Sequence, residues 1–256
     1  MLKKNDEIVI EIEDYTSEGG GIGRYNGLAV FVPETAAGDT ILCHIIKVKK
    51  NYAIGKMKKI ITPSKDREKS DCPAFPRCGG CSFRHITYEA ELKHKQKHVE
   101  DAFFRIGGIN LLPERILSAK DIYNYRNKAQ YPVKIEDGKI KIGFYTQRSH
   151  RIADTSHCAL HPDDFSQAVN IFREFLSASG NSVYNERTQK GLVRHLYLRK
   201  AFATNQLMAC VVINGDELKD SGSLVELLKE IPSFKTLVIN INKEDTNAVL
   251  GADCKT

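Results

Sequence analysis

No apolar run in the 256 residues approaches the roughly 20 that a membrane-spanning helix needs. The N-terminus, MLKKNDEIVIEIED, has acids where a secretory signal would carry its apolar core. Internal repeats and low-complexity tracts are lacking too, and so is a dominant charge. Thirty-eight Lys and Arg stand against 32 Asp and Glu, a net +6. So mild an excess fits a polyanionic partner without requiring one. These absences exclude a membrane partner and predict a cytoplasmic protein. The 41% hydrophobic and 27% charged content is that of a soluble globular chain. In a reducing compartment, the seven cysteines point to metal or catalysis rather than to disulfides.

Three stretches divide the chain. Residues 1–61 read as short strands: EIVIEIEDY alternates, and GLAVFVP and ILCHIIKVKKNYAIGKMKKI are β-branched with no helical period. They predict an all-β, OB-like barrel. Residues 62–71, TPSKDREKSD, are polar and aperiodic and read as a linker. Residues 72–256 read as an α+β domain with a largely antiparallel sheet. In it, Thr87 caps a helix whose buried face is expected to be Tyr88, Leu92, Val99, Phe103 and Ile106. Glu136-Asp137-Gly138 is a hairpin turn. HPDDFSQAVNIFREFLSAS and SLVELLKEI are helices, and GLVRHLYLRK, QLMACVVING and FKTLVINI are strands. The last residues, NAVLGADCKT, read as a strand just starting with nothing to pair it, as in a chain truncated at its C-terminal end.

The densest chemical signal is Cys72-Pro-Ala-Phe-Pro-Arg-Cys78-Gly-Gly-Cys81. Gly79 and Gly80 permit the sharp turn that three converging thiolates need. Of the remaining cysteines, Cys43 and Cys210 lie in apolar strands and suit a small buried hydrophobe. Cys254 is terminal. Cys158, in a turn-like stretch beside His157 and His161, is the expected fourth ligand. Zinc normally takes two matched knuckles, and this spacing favours an iron–sulfur cluster over zinc or no metal. An electron-transfer or radical protein is the remote alternative.

The glycine-dense loop SEGGGIGRYNG leads into a strand, and Arg24 stands where a dinucleotide fingerprint needs glycine. It therefore reads as a barrel loop that offers Arg24 and Tyr25 to a nucleic acid. In the strand from Arg126, the side chains of Arg126, Lys128, Gln130 and Lys134 share one face. Lys139 and Lys141 lie in its partner strand. Arg148, Ser149, His150 and Arg151 form a polar turn. Val193, His195, Tyr197 and Arg199 are placed on one face of a further strand. The candidate RNA contacts are Arg24, Tyr25, Arg126, Lys128, Gln130, Arg148, His150, His195 and Arg199.

Taken together, GGGIGR…VFVP, C-x5-C-G-G-C, Tyr125-Arg126-Asn127-Lys128, GFY…SH…C and LVRHLYLR resemble the N-terminal portion of the S-adenosylmethionine-dependent RNA uracil-5-methyltransferases. The resemblance implies a TRAM-type RNA-binding barrel and a [4Fe–4S] cluster on Cys72, Cys78, Cys81 and Cys158. It further implies an rRNA or tRNA partner bound by a monomer. In that family a Rossmann-like domain binds S-adenosylmethionine and carries the cysteine that attacks C6 of uracil and the base that removes the C5 proton. That domain is expected to be absent here. S-adenosylmethionine would then concern the full-length protein only, this chain would hold no catalytic residue, and it would be inactive alone. The rival expectation is a stand-alone, non-enzymatic RNA-binding module with a structural four-cysteine metal site.

Overall fold

The computed structural model describes residues 2–256. The chain forms two compact units. One comprises the residues up to Pro76 with Cys81–Ala119, the other Arg77–Gly80 with Lys120–Thr256.

In the first unit, β1 (Glu7–Tyr15), β2 (Gly21–Tyr25), β3 (Leu28–Val32), β4 (Thr40–Val48) and β5 (Tyr52–Thr62) close into a barrel in the order β1-β2-β3-β5-β4. Only β3 and β5 pair in parallel. This is the OB-like barrel that the strand pattern predicts. The alternation of β1 sends Ile8, Ile10 and Ile12 inward, where they meet Val30, Val32, Ile41, Cys43, Ile45 and Ala53. A Cβ on Gly55 would lie 2.2 Å from the sulfur of Cys43, so glycine alone fits there. Burial pushes that thiol up to about 11, and Cys43 is a core residue.

Residues 62–71 are tied to the barrel rather than free of it. The fully buried Asp39 carboxylate accepts from Ala36 N at 2.7 Å, Ser64 N at 2.8 Å and Arg67 Nε at 3.0 Å. Helix α1 (Tyr88–Asp101) follows, with the Thr87 hydroxyl accepting from Ala90 N. Its barrel-facing stripe differs from the expected one. Ala90 and His94 are buried, and Lys97 Nζ lies 2.6 Å from Asp14 Oδ2. Val99 is half a turn around from Ala90 and is exposed. The helix runs into a π-helical turn, Ala102–Ile106, whose wider pitch takes Ile106 off any α-helical stripe and leaves it exposed.

The second unit is a seven-stranded sheet in the order β12-β11-β10-β9-β6-β7-β8. Its strands are β6 (Lys128–Glu136), β7 (Lys139–Tyr145), β8 (Ile152–Asp154), β9 (Val193–Ala201), β10 (Gln206–Ile213), β11 (Phe234–Ile241) and β12 (Asp253–Lys255). Helices α2 (Asp163–Ala178) and α3 (Ser221–Leu228) bury Phe165, Phe172, Phe175, Leu224 and Leu228 against one face, with Tyr131, Leu196 and Val211. The OB-like barrel stands, but the sheet expected to be largely antiparallel is mixed: five of its six strand pairs are antiparallel and one is parallel. β10 and β11 run parallel and α3 is their crossover. That βαβ unit is the building block of Rossmann-like folds, and the expectation that a Rossmann-like methyltransferase domain is absent is withdrawn. The C-terminal residues also find a partner, since β12 pairs antiparallel with β11. The turn at Asp137-Gly138 has both residues at positive φ, as a two-residue hairpin requires.

Candidate nucleic-acid interface

The face of the sheet turned away from α2 and α3 carries the basic residues. Ala129, Tyr131 and Val133 of β6 point to the helices, so Lys128, Gln130 and Lys134 point away. β9 pairs beside it, with Lys128 opposite Arg199, Gln130 opposite Tyr197 and Pro132 opposite His195. Five of the expected contacts thus fall together: Arg126 just before β6, Lys128, Gln130, His195 and Arg199. Arg126, Lys128 and Arg199 are exposed.

The alternation expected in β9 breaks at one point. The pairing with β10 shifts between His195 and Val193, leaving Arg194 as the extra residue of a bulge. Val193 therefore joins the helix-side core while His195 stays on the open face. Arg194 is buried; its Nη1 donates to the carbonyls of Asn242 and Glu244, both at 2.8 Å, and its guanidinium lies 4.7 Å from the Tyr184 ring centroid. His195 is largely covered and its Nδ1 has no hydrogen-bond partner. Burial, assisted by Arg194, pulls its pKa down to about 4. At neutral pH its ring is uncharged.

A second group lies farther along β6. Lys134 Nζ donates to Glu186 Oε2 at 2.7 Å, and Tyr145 OH donates to Glu186 Oε1 at 2.9 Å. His150 Nδ1 lies 3.5 Å from the same carboxylate. Burial favours the neutral acid at Glu186, but the Lys134 and Tyr145 hydrogen bonds outweigh it and hold the carboxyl below its ordinary range. Arg148, at the neighbouring turn, is exposed and adopts φ of 54°. Glu186 escaped the sequence reading because it sits in an aperiodic turn, 52 residues from Lys134.

In the barrel, Arg24 lies 3.4 Å from Glu13 and both side chains are more than half exposed. Tyr25 packs partly against the barrel core. The stretch SEGGGIGRYNG, expected to be a loop, is in large part strand β2, so Arg24 and Tyr25 lie on a strand. The loop is the turn before it, whose Gly20 N–H is bound by the Thr16 hydroxyl at 3.0 Å.

Cys72 and Cys81 belong to the first unit, Cys78 and Cys158 to the second. Cys78 bridges to Thr146, and Gly79 N donates to Tyr145 O at 3.0 Å. The turn at Cys158 is pinned to the stretch just before β6: Ala159 O and Leu160 O accept from Asn124 N and Arg126 N, each at 2.9 Å. His161, stacked between Phe144 and Phe165, lies 3.2 Å from Lys128 O. Among the described residues no group of three or more His, Cys, Asp or Glu is placed to hold a metal ion. The expected [4Fe–4S] cluster and the rival structural metal site therefore find no support among the described residues, and no chemistry is routed through either.

Comparison with known proteins bears on the same points. A family model described as the TRAM domain matches residues 2–58. The chain is 38% identical over 256 residues to an uncharacterised RNA methyltransferase of Listeria monocytogenes, covering 100% of this chain and 56% of that protein. It is 36% identical over 253 residues to another from Clostridium tetani, covering 98% and 55%. It thus spans about half the length of the curated relatives it matches. Its fold is similar to that of the tRNA (uracil-54, C5)-methyltransferase of Pyrococcus abyssi, solved in complex with S-adenosyl-L-homocysteine. That likeness has a TM-score of 0.70 at 22% identity and covers 96% of this chain and 54% of that one. The likeness of fold runs over 96% of this chain, and the division made from sequence, in which only a non-catalytic N-terminal portion is present, is withdrawn. The expectations built on that division, inactivity alone and S-adenosylmethionine confined to a longer protein, are withdrawn with it. Among the described residues no helix is long and apolar enough to cross a membrane.

Proposed function

We propose that this chain serves an RNA methyltransferase, with rRNA or tRNA held on the open face of the seven-stranded sheet. The observation that carries this is the cross-strand cluster of Arg126, Lys128 and Arg199. The three cations are exposed, and among the described residues none of them forms an ion pair. Exposed cations without carboxylate partners are what phosphate contacts draw on. From Lys128 to Lys134 the strand extends roughly 20 Å, enough to meet several successive phosphates. Gln130, next on the same face of β6 after Lys128, supplies an amide for bases, while Tyr197 opposite it is buried with Cys210 and Val212.

The names of the curated relatives supply the reaction class, and the archaeal enzyme of similar fold suggests uracil C5 as the acceptor and S-adenosylmethionine as the donor. S-adenosylmethionine would supply the methyl group; this chain's own residues bind and orient the RNA. The expected setting is the cytoplasm, with the protein acting as a monomer.

Two measurements test the reading. RNA affinity is measured from low to moderate salt, and transfer of labelled methyl from S-adenosylmethionine to RNA is assayed. The expected result is binding that weakens linearly in log–log form with salt, and label in 5-methyluridine. Affinity for RNA no greater than for a neutral polymer would defeat the reading, as would label on protein alone.

A further inference from the structure

Four side chains on the open face converge from four separate stretches of chain. Glu186 comes from the turn between Asn185 and Lys190, Lys134 from β6, Tyr145 from β7 and His150 from the β7–β8 turn. Each Glu186 oxygen has its own donor, Tyr145 OH on Oε1 and Lys134 Nζ on Oε2. The donors are held in place without Glu186. Lys134 Nζ also donates to His150 O at 3.0 Å and lies 5.0 Å from the centre of the Tyr145 ring. The His150 ring packs edge-on against Tyr145 at 5.6 Å. Lys134 is 18% exposed and Glu186 is 41% exposed, so the carboxylate enters a formed cradle from the solvent side. Arg194 and His195 of β9 act electrostatically on the same cluster.

We propose that Lys134, Tyr145 and His150 form a binding site for an RNA backbone phosphate, and that Glu186 fills it as a built-in anion until RNA displaces it. The proposal rests on the RNA-binding reading above and names one site within it. An ammonium, a phenol hydroxyl and an imidazole are donors that match phosphate oxygens. A carboxylate offers two oxygens in one plane, whereas a phosphodiester belongs to a chain whose further phosphates can reach exposed cations such as Arg148 and, farther along β6, Lys128. Displacement needs only rotation of one flexible, part-exposed side chain. The ion pair leaves the cluster without net charge in the free protein, which keeps stray anions from this part of the sheet.

The test compares RNA affinity across salt for the whole chain, Glu186→Gln, and Glu230→Gln as a control for charge removed on an exposed residue beyond α3. Glu186→Gln is expected to bind several-fold more tightly, with the salt slope steeper by about one unit. Tyr145→Phe or Lys134→Ala added to Glu186→Gln is expected to abolish that gain. An equal gain from Glu230→Gln, or no gain from Glu186→Gln, overturns the proposal and leaves Glu186 a structural tie. Inorganic phosphate is titrated separately into both Glu186 forms and followed at the amides of the Asn185–Lys190 turn. If neither form binds RNA, the broader reading fails, and phosphate then decides the site. Saturable shifts in Glu186→Gln alone uphold it, and their absence overturns it.

Discussion

In the barrel each strand has two neighbours, whereas the sheet ends on β8 and β12 and, among the described residues, packs helices on one face only. Charge separates the two less cleanly. In the first unit Arg67 meets Asp39, Lys58 meets Glu7 and Arg24 meets Glu13, while Lys56 and Lys59 of β5 are exposed and, among the described residues, form no ion pair. On the sheet, Arg126, Lys128 and Arg199 stand exposed without such partners, and Lys134 meets a carboxylate that reaches in from a distant turn. Closure satisfies the barrel's edges and uses its inward side chains for packing. An open sheet has a free face, and that face can be given to a ligand.

The comparison breaks first at the cores. Phe172 is 1% exposed beneath the sheet, and Phe172→Ala is expected to destabilise the second unit by about 4 kcal/mol. Hydrogen exchange should show the loss in β6 to β11 and leave the barrel amides protected. Faster exchange in both units alike would show that they unfold together.

Next comes the barrel's own anchor. Asp39→Ala strands Arg67 and orphans two backbone N–H groups, and is expected to destabilise the first unit by about 3 kcal/mol in denaturant unfolding. Burial works against the Asp39 charge, but the Arg67 and backbone hydrogen bonds outweigh it and keep its folded pKa below the ordinary 3.8. The unfolded chain therefore binds the proton more readily. This stabilisation should be intact above about pH 4 and fade as the pH falls through the lowered folded value. An acid transition of the barrel unmoved by Asp39→Asn would remove that assignment.

A finer test concerns the ligand. Lys128→Ala with Arg199→Ala is expected to reduce the salt dependence of RNA binding by about two units, whereas Arg24→Ala should reduce it by no more than one. Equal effects would place the barrel and the sheet on the same footing as RNA contacts. The smallest effect should be on stability: the exposed Arg24–Glu13 pair is worth under about 0.5 kcal/mol, so Arg24→Ala should leave thermal unfolding almost unchanged.

Local pattern carried much of the architecture. The period of two in EIVIEIEDY placed Ile8, Ile10 and Ile12 in the barrel, and the capping signal at Thr87 marked the start of α1. Asp137-Gly138 declared its turn because Asp and Gly are residue types that tolerate the positive φ such a turn needs. The basic face of β6 was legible for the same reason, because alternation is a property of the strand alone. Where the reading failed, the deciding contact lay far away in sequence. The face of α1 was set by Tyr15, whose ring centre is 5.0 Å from that of His94, and not by the helix's most apolar residues.

The residues by themselves determined the barrel, most element positions and the concentration of cations along β6 and β9, since strand period and turn chemistry act over a few neighbours. Only the tertiary structure decided the bulge at Arg194, which separates Val193 from His195, and the parallel crossover from β10 to β11. It alone brought Glu186 onto Lys134 and Tyr145, and it alone allotted the four cysteines two to each unit. Each of these depends on which distant segments meet. Sequence spacing cannot report that, because a three-cysteine motif specifies the reach of its own loop and nothing about where a fourth thiol will lie.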